Sequence, residues 1–354
     1  MRTVRFGYVG CGFVAQGVHL PNFARLPGVE LVALAEIRPQ LGEKVQRRWG
    51  FRRRYESHRQ LAEDPEVEAV GVSAEFSEQG EIAKDLLRAG KQVFMEKPMA
   101  ISVAQAEAIL EAGRAGGGRL MVAYMKRYDP GNEIAKRQLD EFRQDPNMGQ
   151  PFYARNHGFC GNWVAGMDAV IETTDEPRPQ PGPGQYPDWL PEALRRPYLG
   201  YLQQYTHNVN LLRWLLDAGG RVRVAGVDLN ANGYTGLVVF DMDGVRAVVE
   251  SGSVSYHAWE EHTQVYFPHG WVRVSSPPLL LRNVSAAVEI YRGGEVQEVR
   301  QPVPVPYAWS YQREAEHFIA CVRTGEPFRS SGEDTLTDVR LFEDIYREFM
   351  RKQG

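Results

Sequence analysis

Near its start the chain carries a glycine pair between an apolar strand and a helix, and no other feature constrains the fold as strongly. Residues 4 to 9 (Val-Arg-Phe-Gly-Tyr-Val) read as a short strand, Gly10-Cys11-Gly12 as a turn and residues 13 to 26 as a helix. Leu31 to Ala35 is then an unbroken apolar run of strand length, as a strand buried on both faces should be. In that setting the pattern Gly10-x-Gly12-x-x-Ala15 marks a dinucleotide-binding βαβ unit. Gly10 permits the tight turn, Gly12 lets the backbone approach a pyrophosphate, and Ala15 keeps helix close to strand. The helix N-terminus then faces the phosphates. Phe13 and Val14 fill the intervening positions and belong to the same expected cradle. Without the flanking elements the pair would be no more than a glycine turn.

Glu36 ends the second apolar run. A carboxylate there can accept hydrogen bonds from the adenine ribose hydroxyls and repels a 2′-phosphate, which favours NAD over NADP. Arg38 can reach a 2′-phosphate instead, so NADP stays open. Its plain alternative is an exposed residue at a helix start.

The β-α alternation continues. A helical pattern covers 39 to 49, Val67 to Val72 is strand-like, and residues 78 to 89 are helical, with Gly90 at the C-terminal stop. Gln92 to Met95 is a strand, 102 to 115 a helix capped by Ser102, and Leu120 to Tyr124 a strand. This alternation predicts a doubly wound parallel sheet of Rossmann type over residues 1–125. The arginine run Arg52-Arg53-Arg54 reads as a solvated surface turn.

Beyond residue 125 the grammar changes. Helix is expected over 131 to 143 and strand over 151 to 157, followed by a Pro/Gly-dense loop from Asp175 to Pro191. That loop is read as a lid over substrate or as a plain surface loop. Its aromatics Tyr186 and Trp189, with Trp163 just before it, are read as stacking on a sugar ring or pinning the loop down. An amphipathic helix is expected over 199 to 217. Strands follow at 222 to 229, 235 to 241, 245 to 254, 263 to 267, 271 to 274, 287 to 291 and 296 to 300. Two closing helices cover about 310 to 323 and 333 to 351. Short turns such as Asp243-Gly244 suggest antiparallel pairing. Residues 126–354 therefore form an expected α+β domain with a large, mainly antiparallel sheet. The polar cluster His257, Glu260, Glu261 and His262 alternates between two faces, which suits a solvated edge better than a metal site.

With 41 Lys and Arg against 45 Asp and Glu, the net charge of −4 argues against nucleic acid or an anionic membrane as a partner. The three cysteines lack CxxC spacing, which speaks against a disulfide framework or a structural zinc and suits a reducing cytoplasm. Neither a signal-peptide pattern nor an apolar run of spanning length is read.

A strand running into Glu96-Lys97-Pro98 places a lysine at the carboxyl edge of the sheet, where ligands bind in such folds. Taken alone, Lys97 would pass for a surface lysine. The glycine pattern, Ala89-Gly90-Lys91-Gln92-Val93 leading into Glu96-Lys97-Pro98, Lys126-Arg127-Tyr128-Asp129-Pro130, and Phe318-Ile319-Ala320 before Gly325-Glu326-Pro327 together resemble the Gfo/Idh/MocA family of oxidoreductases over essentially the whole chain. The resemblance implies a Rossmann domain followed by an α+β domain with an open sheet, able to pair face to face in a homodimer or homotetramer. It implies hydride transfer between a nicotinamide cofactor and a hydroxyl-bearing carbon of a sugar, cyclitol or related polyol. It assigns Lys97 to contacts with the substrate hydroxyl and the nicotinamide ribose.

Gln203, His207 and Asn210 share one helical face. The family pattern has acids where Gln203 and Asn210 stand here, so the histidine is kept without its acidic partners. His207 remains a candidate proton acceptor, and Lys97 becomes the stronger one, with Tyr205 or Tyr201 as assistants. Arg127 matches a family arginine and lines the expected pocket, or forms a salt bridge at the domain junction. Ser73 and Glu75 border the cofactor, and Gln79 stands at a usual histidine position. Two further readings stay open: an NAD-retaining glycosidase or epimerase with no net redox, and a non-catalytic dinucleotide-binding sensor.

Overall fold

The computed structural model describes residues 2–254, 259–294 and 298–353. In chain order the elements are β1 (Val4–Val9), a π-helical stretch (Ala15–His19) passing into α1 (Leu20–Phe23), β2 (Val29–Ala35), α2 (Pro39–Trp49), β3 (Arg53–Tyr55), α3 (His58–Glu63), β4 (Ala69–Val72), α4 (Phe76–Arg88), β5 (Gln92–Glu96), α5 (Val103–Gly116) and β6 (Leu120–Ala123). Then come α6 (Pro130–Gln144), β7 (Tyr153–Cys160), α7 (Glu192–Leu215), β8 (Val222–Leu229), β9 (Gly236–Met242), β10 (Val245–Ser253), β11 (Glu260–Phe267), β12 (Gly270–Ser275), β13 (Ala287–Arg292), β14 (Val299–Val303), α8 (Ser310–Thr324) and α9 (Gly332–Gln353).

Among the described residues the strands form two sheets. One has six parallel strands in the order β3-β2-β1-β4-β5-β6. Apart from the edge strand β3, its strands are largely buried and apolar, as sheets covered on both faces require. Val32, Val70, Val93 and Val122 share one apolar core with Ile82 and Leu86 of α4 and Ile109 of α5. An aromatic cluster also forms in this unit: Phe6 stacks on Phe23 at 4.3 Å between ring centres, and Phe94 meets Phe318 edge-on at 5.6 Å. The second sheet has eight strands in the order β14-β13-β12-β11-β7-β10-β9-β8, antiparallel except where β7 and β10 run parallel. The α/β class and the mainly antiparallel second sheet are as expected.

The chain divides into two compact units, and the division departs from a single cut after residue 125. The first unit combines the chain up to Tyr124 with Asp168–Asp188 and Tyr311–Val339; the second holds Met125–Met167, Trp189–Ser310 and the chain from Arg340 onward. Thus a segment that follows β7 in sequence packs with the dinucleotide sheet. The chain also returns beside β6, where the backbone of Ser330 accepts a hydrogen bond from the Val122 amide at 2.9 Å and shields that sheet edge.

Several local expectations are corrected. Arg52–Arg54 is not a solvated turn: Arg53–Tyr55 is an edge strand beside β2, and Arg53 pairs with Asp64 at 2.7 Å and with Glu66. A three-residue strand carrying arginines has no apolar periodicity to betray it. The first helix ends at Phe23 and opens with a π-wound stretch. Strand β7 lies two to three residues later than expected, and α7 starts at Glu192, accepting Pro197 in its interior. Glu260–His262 is not at a solvated edge, because β11 lies between β12 and β7. His257, and residues 296 and 297 of the last expected strand, fall outside the described residues. No helix among the described residues is long and apolar enough to cross a membrane.

Candidate active site

The glycine turn has the geometry the pattern demands. Gly10 sits at φ +93°, and a Cβ there would lie 2.3 Å from the carbonyl oxygen of Ser73, at the end of β4. A Cβ on Gly12 would meet nothing within 4 Å, so this exposed backbone is open to a large ligand. Phe13 and Val14 begin the helical turns that follow. A dinucleotide pyrophosphate fits such a cradle: bare backbone, one residue of enforced left-handed conformation, and helix amides behind it. Ser73 lines the same turn and receives the Tyr8 hydroxyl at 3.0 Å, and Glu75 is exposed just before α4.

Glu36 is buried at the end of β2 and already well engaged. One carboxylate oxygen accepts the Cys11 amide at 2.7 Å; the other accepts the Arg38 amide at 3.1 Å and the Arg38 Nε at 2.7 Å. Three donors leave about one acceptor position of a carboxylate for a ribose hydroxyl. Arg38 is neither a free surface residue nor an isolated phosphate ligand, since it is ion-paired to Glu36.

Lys97 is half-buried where β5 ends, and the backbone around it is clamped. Gln79 Nε2 donates to the carbonyls on both sides, of Glu96 at 2.5 Å and of Pro98 at 3.4 Å. The Lys97–Pro98 peptide is cis. Glu96 receives the Lys97 amide at 3.1 Å and bonds His19 Nε2 at 2.7 Å. Burial alone would push the Glu96 carboxyl up, but the His19 hydrogen bond and charge, helped by Lys97, hold it below the ordinary glutamate range. The sequence motif marked Glu96 and Lys97. It did not mark His19 or the clamping role of Gln79, because neither shows in local spacing.

Glu314 on α8 is fully buried in the same unit, and neither carboxylate oxygen has a hydrogen-bond partner among the described residues. Burial, reinforced by the charge of Glu96, pushes its carboxyl well above the ordinary range. Between the unfolded and folded pKa values the native protein keeps a proton that the unfolded chain has released, so stability falls as pH rises through that window. Glu96 has the opposite sign: its contribution is present at neutral pH and is lost as pH falls through its depressed value. Glu314→Gln is therefore expected to melt higher than the wild type at about pH 8, with the difference closing towards about pH 4. Thermal denaturation at several pH values measures it; a constant difference would mean that Glu314 does not carry this proton.

The second unit holds the remaining candidates. On α7, Gln203, His207 and Asn210 lie on one face, while Tyr201, Tyr205 and Asn208 lie on the opposite face, towards the sheet. His207 and Asn210 are buried. Arg127 Nε donates to the Asn210 side-chain oxygen at 2.7 Å, so an amide on α7 helps to hold this arginine. Tyr205 is corrected as a substrate contact: it is fully buried, donates to the Gly252 carbonyl at 2.9 Å and packs at an angle against the rings of Tyr201 and Tyr234. Trp189 is pinned by Glu343 and lies under the Arg347 guanidinium at 4.2 Å, which makes it an anchor.

Behind α7 lies a buried network around Glu261, a residue whose sequence setting suggests a solvated edge. Lys126 is ion-paired with Glu261, whose side chain has no exposure. Asn208 bridges Glu261 at 3.2 Å to Asn156 at 2.7 Å, and Asn156 donates to Thr263 at 2.7 Å. Burial, with the Glu261 charge, pushes the nearby Cys160 thiol up to about 12. On the other face of β11, His262 stacks on His157.

Comparison with known proteins identifies the family. Residues 4–124 match the family described as "Oxidoreductase family, NAD-binding Rossmann fold". An inositol 2-dehydrogenase of Burkholderia cenocepacia (strain HI2424) is 32% identical over 339 residues, which cover 91% of this chain and 87% of that protein. The chain belongs to the Gfo/Idh/MocA family of oxidoreductases. A scyllo-inositol 2-dehydrogenase (NAD(+)) of Bacillus subtilis (strain 168) is 23% identical over 91% of this chain and 87% of its own. The fold is shared with KijD10, a 3-ketoreductase from Actinomadura kijaniata crystallised with NADP and TDP-benzene; the TM-score is 0.73 at 20% identity, with 98% of each chain covered. This Gfo/Idh/MocA member is thus an oxidoreductase that uses a nicotinamide dinucleotide.

Proposed function

We propose that this enzyme oxidises a ring hydroxyl of a cyclitol or related polyol, with NAD as the preferred partner. The observation that carries the reading is Lys97, half-buried at the sheet's carboxyl edge and clamped by Gln79 and Glu96, in the same unit as an intact glycine cradle. The inositol dehydrogenases among its relatives support the substrate class, and the carboxylate of Glu36 supports NAD.

Gly10, Gly12, Phe13 and Val14 would hold the pyrophosphate, Glu36 the adenine ribose, and Ser73 and Glu75 the nicotinamide half. When bound, the nicotinamide ring supplies the hydride acceptor. Lys97 orients the substrate hydroxyl and takes its proton, so that the alcohol O–H bond breaks as the carbonyl forms. The family resemblance assigns His207, with Gln203 and Arg127, to contacts with substrate hydroxyls. Amides at 203 and 210 cannot stabilise an imidazolium as carboxylates would, so the proton falls to Lys97.

The test is absorbance near 340 nm on mixing the protein with NAD and a panel of inositols and sugars. Turnover on cyclitols is expected; none with any polyol or sugar would defeat the reading. A second reading is favoured by one observation, the segment 168–188 packed along the dinucleotide sheet: a retained cofactor with no net redox. Copurified NAD and product formation without change near 340 nm would select it.

The same proposal extends to assembly and location. On the sheet face away from α7, Tyr153, Tyr266, Trp271 and Tyr291 align across four strands and are partly exposed, a surface suited to a second copy. Light scattering should then report a homodimer or homotetramer. The three cysteines are free and buried, which suits a reducing cytoplasm.

A further inference from the structure

The segment 168–188 is fastened along the dinucleotide sheet at several points. The Gln16 side chain, just past the glycine turn, receives the Glu172 amide at 2.8 Å and donates to the Glu172 carbonyl at 3.1 Å. On α2, Lys44 donates to the Thr173 carbonyl at 2.9 Å, and Arg48 pairs with Glu172 at 3.3 Å. On α4, Glu78 accepts the Gly182 amide at 2.9 Å, and Glu81 accepts from Gln185 at 2.7 Å. The helices α2 and α4 follow β2 and β4, the neighbours of β1, so the strap spans the edge where the cradle opens.

One of its contacts is chemically specific. Helix α2 has 11 residues, and its N-cap, Arg38, makes no side-chain capping bond. Its first free amides would be an anion site, since helix N-termini present unpaired N–H groups and a positive dipole end. Here a carboxylate from the strap takes them: Glu176 accepts the amides of Gln40 and Leu41, each at 2.9 Å, and Thr174 donates to it at 2.9 Å. Those contacts and the nearby Arg38 charge outweigh desolvation and hold the Glu176 carboxyl below its ordinary range. The site adjoins Glu36, because Arg38 is bonded to Glu36 and begins the same helix.

We infer that Glu176 is a cofactor-selecting residue, occupying from within the chain the anion site that a ribose 2′-phosphate would need. The inference rests on the proposed use of NAD. A ribose set on Glu36 would direct a 2′-phosphate towards Arg38 and the start of α2. There the phosphate would meet two carboxylates, an arginine already paired, and helix amides already bonded. NAD, with a hydroxyl at that position, meets none of this conflict. Glu36 alone would leave the α2 amides available; Glu176 closes that second route.

The test uses the full chain and direct titration of NADH and NADPH, read by nicotinamide fluorescence, for the wild type, Glu176→Gln and Glu176→Ala. The wild type is expected to bind NADH far more tightly than NADPH. Removing the carboxylate should tighten NADPH about tenfold, as loss of a helix-end charge conflict allows, with NADH changed less than about threefold. An NADPH to NADH ratio unchanged in both variants overturns the inference and leaves the function reading intact; a wild type that binds the two equally overturns the inference together with the NAD preference, and leaves polyol oxidation standing. A wild type that binds neither dinucleotide overturns both.

Discussion

Lys97→Ala is expected to lower kcat/KM for the polyol by about 10³-fold while leaving NAD affinity within a few-fold, because positioned proton transfer contributes about 10²–10⁴ in rate. The distinction between chemistry and folding is available here. The bonds that shape this corner run through backbone and neighbouring side chains: Gln79 to the Glu96 and Pro98 carbonyls, Glu96 to the Lys97 amide, and His19 to Glu96. Truncating Lys97 beyond Cβ leaves each of them in place. Lys97→Arg sharpens the test. Arginine keeps the positive charge but does not lose its proton in proteins, so it should be nearly as damaging as alanine. If arginine restored most of the rate, the lysine would act as a fixed charge that orients the hydroxyl. If alanine kept full turnover, Lys97 would have no role in the reaction. Steady-state kinetics with separate dinucleotide titrations reads both variants.

How far the sequence shows this site depends on the kind of residue. The cradle was legible because glycines at fixed spacing between strand and helix have one physical reason to be there, and Gly10 at φ +93° against Ser73 bears that reason out. The βα alternation was legible because strands buried on both faces are apolar throughout. What escaped notice was held by long-range polar contacts. His19 meets Glu96, Glu176 meets α2, and Lys126 meets Glu261 across 135 residues. No local periodicity encodes such pairs. The strap shows the same limit: Pro and Gly composition identifies a loop but not the sheet on which it lies. Glu260-Glu261-His262 was misplaced for a related reason. Alternation correctly split its side chains between two faces, but charge suggested solvent, whereas an interior strand can bury a glutamate if a lysine is supplied elsewhere.

That buried pair supports the last expected result, a loss of about 3–5 kcal/mol on Glu261→Ala, since removing one partner leaves the other charge buried and uncompensated. For a domain of this size the loss corresponds to a melting temperature lower by roughly 6–20 °C. The cost should exceed that of the lost contact itself. Lys126 would keep its charge in a site it barely shares with solvent, and Asn208 would lose one of its two acceptors. Glu261→Gln separates charge from shape: it keeps an acceptor for Asn208 but leaves Lys126 without a counter-charge, so most of the loss should remain. The double variant Lys126→Met/Glu261→Leu, which removes both charges and fills the space, should recover much of the stability, because buried ion pairs often contribute little net free energy over apolar replacements. The pair's value then lies in registration. Asn208 adjoins His207 on α7, and through Asn156 and Glu261 it sets the rotation that turns Gln203, His207 and Asn210 away from the sheet. A double variant that melts near the wild type yet turns over more slowly would locate the contribution of Lys126 and Glu261 in the placement of that helix face. One that is stable and fully active would show that packing alone sets it.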